Sequence, residues 1–142
     1  MTIAQVLENR DQTIISCTAD ATVEHAARKL AENRIGALPV LDGGKPIGIF
    51  SERDLLYCIA HEGADVLRRP VSEVMTAPAI TVDSSTGVMD ALELMTRRRI
   101  RHLPVVDKGR LSGFVSIGDL VKHRLDKVET EARQMREYIR TV

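Results

Sequence analysis

G-I-F-S-E-R-D-L, from Gly48 to Leu55, returns as G-F-V-S-I-G-D-L, from Gly113 to Leu120. The offset is 65 residues, and it holds upstream without a gap. Val23 pairs with Val88, Ala26 with Ala91, Arg34 with Arg99 and Ile35 with Ile100. Leu38-Pro39-Val40 pairs with Leu103-Pro104-Val105, Asp42 with Asp107 and Gly44 with Gly109. A self-match of this length makes the chain one supersecondary unit used twice. Each copy ends on a Ser and an Asp three residues apart, where a strand gives way to a helix.

The repeat fills nearly all of the 142 residues. A chain of that length buries roughly 70% of its unfolded surface and needs no staples. Apolar residues make up 44% and charged residues 28%, which fits a globular protein rather than a disordered one. Twenty basic residues balance twenty acidic ones, so a general polyanion binder is disfavoured. Aromatic residues are only 3%, too few for a single-strand reader that stacks bases, so nucleic acid is not an expected partner. Cys17 and Cys58 lack C-x-x-C spacing and read as small buried hydrophobes in a reducing compartment. No leader pattern opens the chain, and no apolar run approaches the ~18 residues of a membrane span. A cytoplasmic protein with no membrane partner is expected.

Thr2 caps a short helix over Ile3 to Glu8, and Asn9 to Gln12 is a polar turn. Thr13 to Cys17 reads as a strand. Thr22 caps a helix whose Val23, Ala26, Ala27 and Leu30 share one face. Ala37 to Leu41 and Ile47 to Phe50 are strands joined by the glycine-rich turn Asp42-Gly43-Gly44-Lys45. Pro39 makes the first of them a poor central strand. Ser51 caps a helix to about Glu62, which Gly63 stops. After a connector over Ala64 to Arg69, Pro70 opens a brief helix through Met75. The second copy then runs as strand Ala79 to Val82, helix Gly87 to Arg98 and strands His102 to Val106 and Leu111 to Val115. Gly87 replaces the capping Thr22 of copy one, and Thr86 is expected to take over that cap.

The last helix, from Ile117, outruns the repeat. Val121, Leu125, Val128, Ala132, Met135, Ile139 and Val142 are spaced 4, 3, 4, 3, 4, 3. This is an a/d seam three heptads long, on a helix of ~39 Å at ~1.5 Å per residue. A helix folded back on its own domain is the alternative. The narrow seam flanked by Lys, Arg and Glu favours pairing with its twin in a homodimer.

Two features carry chemistry. Ser51-x-x-Asp54 and Ser116-x-x-Asp119 have the spacing of a helix cap, which alone explains one occurrence. Recurrence after a Gly-apolar-apolar strand favours a second role. A carboxylate at the mouth of a βα turn suits a ribose diol, and the adjacent helix N-terminus suits an anion. The run Arg97 to His102 is the other. Arg97 and Arg98 complement a helix C-terminus, whereas Arg101 and His102 stand at a strand start and suit phosphate oxygens. His25, His61 and His123 lack ligand spacing, so no metal is expected. No nucleophile–base pair is visible locally, so no catalytic residue is assigned.

Two units of strand–helix–strand–strand–helix, each with apolar-x-x-Leu-Pro-Val, a D-x-G turn and G-x-x-S-x-x-D, resemble tandem CBS domains, the pair called a Bateman module. The resemblance covers about Ile3 to Leu125. It implies an α/β (α+β) fold of two β-α-β-β-α repeats related by a pseudo-two-fold, with repeat 1 over 1–64, repeat 2 over 65–125 and a helical extension over 126–142. It also implies an adenine nucleotide (AMP, ADP, ATP or NAD) in clefts between the copies. By that resemblance Ser51 and Asp54, with Arg53 beside them, face Ile80, Ile100, Arg101 and His102. Ser116 and Asp119 face Ile15, Ile35, Gly36 and Ala37. The Asp54 pocket, with its cations, is expected to be the tighter site for a phosphorylated adenosine.

The implied function is a stand-alone regulatory module. It senses nucleotide by a conformational change, forms a homodimer and signals to an unidentified effector protein. A ligand-free interaction or scaffold module is the competing reading. An enzyme is the least favoured, since no catalytic domain accompanies the repeats.

Overall fold

The computed structural model describes residues 1–8, 10 and 13–141. Its elements are α1 (Ile3–Glu8), β1 (Cys17–Thr18), α2 (Val23–Asn33), β2 (Ala37–Asp42), β3 (Lys45–Ser51) and α3 (Glu52–Glu62). Short 3-10 turns at Ala64–Arg68 and Val71–Glu73 lead to α4 (Val88–Arg98), β4 (His102–Asp107), β5 (Arg110–Ser116) and α5 (Ile117–Thr141). The polar turn expected over Asn9 to Gln12 falls, apart from Arg10, outside the described residues, as does Val142.

Each copy builds the same antiparallel hairpin, β2 with β3 and β4 with β5. The register slips at the same place in both, between Val40 and Leu41 and between Val105 and Val106. The turns need left-handed backbone, which Gly43 and Gly44 supply in the first copy (φ 58° and 84°). In the second copy Lys108 takes that conformation at φ 52°, followed by Gly109 at 77°.

The first strand of each copy is shorter than its β-rich sequence suggests. β1 pairs with β2 only at Cys17 and Thr18, and in copy two a single parallel bridge, Val82 with Val105, replaces a strand. The Leu-Pro-Val motif explains this. Ile49 exchanges two backbone bonds with Thr76, both 2.9 Å, so its polar groups point away from β2. Its partner Pro39 therefore turns its own toward β1. Pro104 accepts from Val82 N–H at 3.1 Å, but proline has no N–H to carry the ladder further upstream. β2 is thus a central strand whose pairing on one side stops at its proline.

The hydrophobic cores exchange their flanking segments. Val23, Ala26, Leu30, Leu38, Val40 and Phe50 of copy one bury Val71, from the turn that follows α3. Val88, Ala91, Met95, Leu103, Val105, Val115 and Leu120 bury Ile3 and Val6 of α1. The exchange is symmetric: Thr2 bridges Gly87 as Pro70 bridges Thr22. Met1 carbonyl accepts from Val88 N–H at 3.1 Å as Arg69 carbonyl accepts from Val23 N–H at 2.8 Å. Close approach requires glycine where these segments cross. A Cβ at Gly48 would lie 2.5 Å from Met75 Sδ and 2.9 Å from Thr76 O, and one at Gly113 would lie 2.7 Å from Leu7 Cδ1.

Three local expectations change. The helix expected over Pro70 to Met75 is a single turn, Val71–Glu73, and the connector before it coils as well, burying Val66 completely. Thr86 does not cap α4: its hydroxyl bonds Asp83, and the Gly87 cap position has no side-chain bond. The Met1 carbonyl satisfies only the Val88 N–H, as Arg69 does for Val23 in the copy that also keeps its Thr22 cap.

Candidate functional site

Ser51 and Ser116 end their strands in extended backbone and turn into helices. Asp54 N–H donates to Ser51 Oγ at 3.3 Å while Asp54 Oδ2 accepts from Ser51 N–H at 2.9 Å. Asp119 and Ser116 repeat the pair at 3.1 and 2.8 Å. Both motifs are therefore reciprocal capping boxes. Their remaining contacts differ. Asp54 Oδ1 accepts from the Thr76 hydroxyl at 3.0 Å, so both of its oxygens are engaged by neutral groups. Asp119 Oδ2 instead receives the guanidinium of Arg10, from the segment after α1, at 3.0 Å.

A cleft of about 310 Å³ opens at Asp119, within the size range of small-ligand sites. Its apolar wall is Leu7, Ile14, Ile15 and Ile35, and Gly36 and Ala37 line it between Ile35 and His102. A Cβ on Gly36 would approach Glu52 Oε1 to 3.3 Å and His102 Cε1 to 3.9 Å, so glycine keeps this wall open. Arg10, Thr13, His102, Ser116 and Asp119 supply the polar groups. His102 stacks on Phe114, with ring centroids 5.4 Å apart and planes 13° apart. Burial pushes the His102 pKa below its ordinary value; Asp119 opposes that shift and Arg101 adds to it. Burial thus favours the neutral imidazole, and an anion beside it would favour the protonated form.

Six residues grouped from the sequence meet here: Ile15, Ile35, Gly36, Ala37, Ser116 and Asp119. His102, grouped with Asp54 from the sequence, lines this same cleft. The reason is the hairpin, which pairs the first residue of β4 with the last of β5, His102 with Ser116. Arg101 likewise sits at the start of α5, its carbonyl accepting from Ile117 N–H at 2.8 Å. Ile80 and Ile100 pack against the second core, and Arg53 and Arg101 are exposed. Sequence reasoning missed Leu7, Arg10, Thr13, Ile14 and Phe114. Leu7 and Arg10 reach the cleft only because α1 crosses to the other copy. The crossing segments match at an offset of 68, Ile3 with Val71 and Leu7 with Met75, so a gapless match at 65 passes over them.

A family model for the CBS domain matches residues 10–61 and 71–126. The chain belongs to the CBS-domain family. It is 36% identical over 148 residues to the CBS domain-containing protein CBSX3, mitochondrial, of Arabidopsis thaliana, covering 97% of this chain and 71% of the relative. The crystal structure of the CBS-domain containing protein ATU1752 from Agrobacterium tumefaciens superposes with a TM-score of 0.82 at 36% identity, over 87% of this chain and 99% of that one. The CBS domain protein PAE2072 from Pyrobaculum aerophilum, complexed with AMP, gives a TM-score of 0.73 at 32% identity, over 84% and 89%. The two matched segments make the chain a tandem CBS pair with a long C-terminal helix. Among the described residues no helix is long and apolar enough to cross a membrane.

Proposed function

We propose that this CBS pair is a regulatory module, not an enzyme, that binds an adenosine 5′-phosphate in the cleft at Asp119. One observation carries the reading: a carboxylate at a helix N-terminus shares a partly apolar cleft with a guanidinium and a half-buried imidazole. Ile15 and Ile35 hold the adenine, and Asp119 accepts from the ribose hydroxyls. Arg10, His102 and the first N–H groups of α5 receive the phosphate, with Arg10 leaving Asp119 to do so. The AMP complex of the Pyrobaculum relative supports the ligand class. AMP, ADP, ATP and NAD share the adenosine 5′-phosphate that this arrangement recognises.

A second, weaker site lies at Ser51 and Asp54, because among the described residues the groups bonded to Asp54 are neutral and no cation pairs with it. The module works in the cytoplasm as a homodimer, and nucleotide shifts the packing of the two repeats, which an effector protein reads. Calorimetry with AMP, ATP, NAD and adenosine tests this. Asp119→Asn keeps a capping side chain and removes the charge, and it should weaken AMP about 10- to 100-fold, as expected for a charged hydrogen bond. Asp54→Asn should change the tight site little. If none of the three nucleotides binds, or Asp119→Asn binds AMP like the parent chain, the reading is wrong and the scaffold alternative stands.

A further inference from the structure

The apolar seam of α5 is uncovered along its whole described length. Leu125, Met135 and Ile139 are 62%, 60% and 66% exposed, and Val121 and Val128 also face solvent. Only the start of the helix, around the fully buried Leu120, is held by the core. Charges flank this seam in a fixed order. With Leu125, Ala132 and Ile139 at a and Val121, Val128 and Met135 at d, the g positions hold Arg124 and Glu131 and the e positions hold Glu129 and Arg136. Among the described residues Arg124, Glu131 and Arg136 make no ion pair within the chain, and Glu129 has only an exposed one to Arg133.

We infer that α5 pairs with α5 of a second copy as a parallel, in-register coiled coil. In a parallel pair each g residue meets the e residue five positions on in the other helix. Arg124 then faces Glu129 of the partner subunit, and Glu131 faces Arg136 of the partner subunit; each contact occurs twice by symmetry, and all are attractive. The antiparallel pair that overlaps the whole seam does the opposite. It sets Glu129 against Glu129 of the partner subunit, Glu131 against Glu131 of the partner subunit, and Lys122 against Arg136 of the partner subunit. Antiparallel registers shifted by a heptad regain opposite charges but leave seam layers at one end unpaired. The parallel arrangement puts both CBS pairs at the same end of the coil, with the Asp119 clefts at its base.

This inference rests on the homodimer reading and is independent of nucleotide. Its test uses the full chain with Cys17→Ala and Cys58→Ser, carrying Leu125→Cys or Ile139→Cys, mildly oxidised and run without reductant. Both variants should form covalent dimers, and a mixture should give no bond between positions 125 and 139. With the native cysteines kept, Glu131→Arg should weaken dimerisation about tenfold by sedimentation, and adding Arg136→Glu should restore it. A native mass of two chains without cross-linking at Ile139→Cys, or a dominant 125–139 bond, overturns the parallel geometry. A native mass of one chain overturns the homodimer itself.

Discussion

Replacing Gly48 or Gly113 by alanine probes the exchange of segments on which the cleft depends. A Cβ at Gly48 would stand 2.5 Å from Met75 Sδ, 3.0 Å from Met75 Cγ and 2.9 Å from Thr76 O. The thioether can swing away, but the carbonyl is fixed by its 2.9 Å bond from Ile49 N–H. At Gly113 the neighbours are Leu7 Cδ1 at 2.7 Å and Cδ2 at 3.1 Å, the mobile end of a half-buried side chain. Neither glycine has positive φ, so alanine also gains about 0.4–1 kcal/mol from the unfolded chain. Overpacking costs about 1–3 kcal/mol when it cannot relax. Gly48→Ala should therefore destabilise by about 2 kcal/mol, or about 6 °C in Tm at this chain length. Gly113→Ala should stay within about 1 kcal/mol of the parent chain. Urea unfolding of each variant, alone and combined with Met75→Ala or Leu7→Ala, separates the causes. Leu7→Ala should fully relieve Gly113→Ala, whereas Met75→Ala should relieve Gly48→Ala only in part, since Thr76 O remains. Equal costs at the two glycines, or no coupling between Gly113 and Leu7, would refute the crossed packing.

Two further outcomes follow from charge. Burial lowers the His102 pKa, so the neutral form contributes stability that is present above the ordinary histidine range and lost as pH falls toward the folded value. A bound phosphate reverses the preference, so AMP should bind more tightly at pH 6.5 than at pH 8 while adenosine changes little, and His102→Gln should abolish the difference in calorimetry. Hydrogen bonds from Ser112, then Ser84, hold the Asp107 carboxyl below its usual range. The stability this contributes is present above the ordinary carboxylate range and lost as pH falls through the folded value. Asp107→Asn should flatten the acid limb of the urea midpoint below about pH 4.

The repeat, both hairpins, both capping boxes and the exposed seam were legible in the sequence because each rests on local chemistry. Turn glycines, cap hydroxyls and 4-3 spacing act between residues that are close along the chain. Six lining residues of the Asp119 cleft were also legible, through the pairing of one copy with the other. The short first strands were foreshadowed by Pro39, but the side on which its missing N–H counts depends on which face Ile49 turns to Thr76. His102 was grouped with Asp54 from the pairing of copies, whereas hairpin register sets it beside Ser116 in the cleft at Asp119. Arg10 carried no periodic signal at all. Sequence by itself determined a unit used twice, with a capped carboxylate in each copy. Only the tertiary structure decided that the two carboxylates differ, because each flanking segment packs on the other copy's core and brings Arg10 to Asp119 but Thr76 to Asp54.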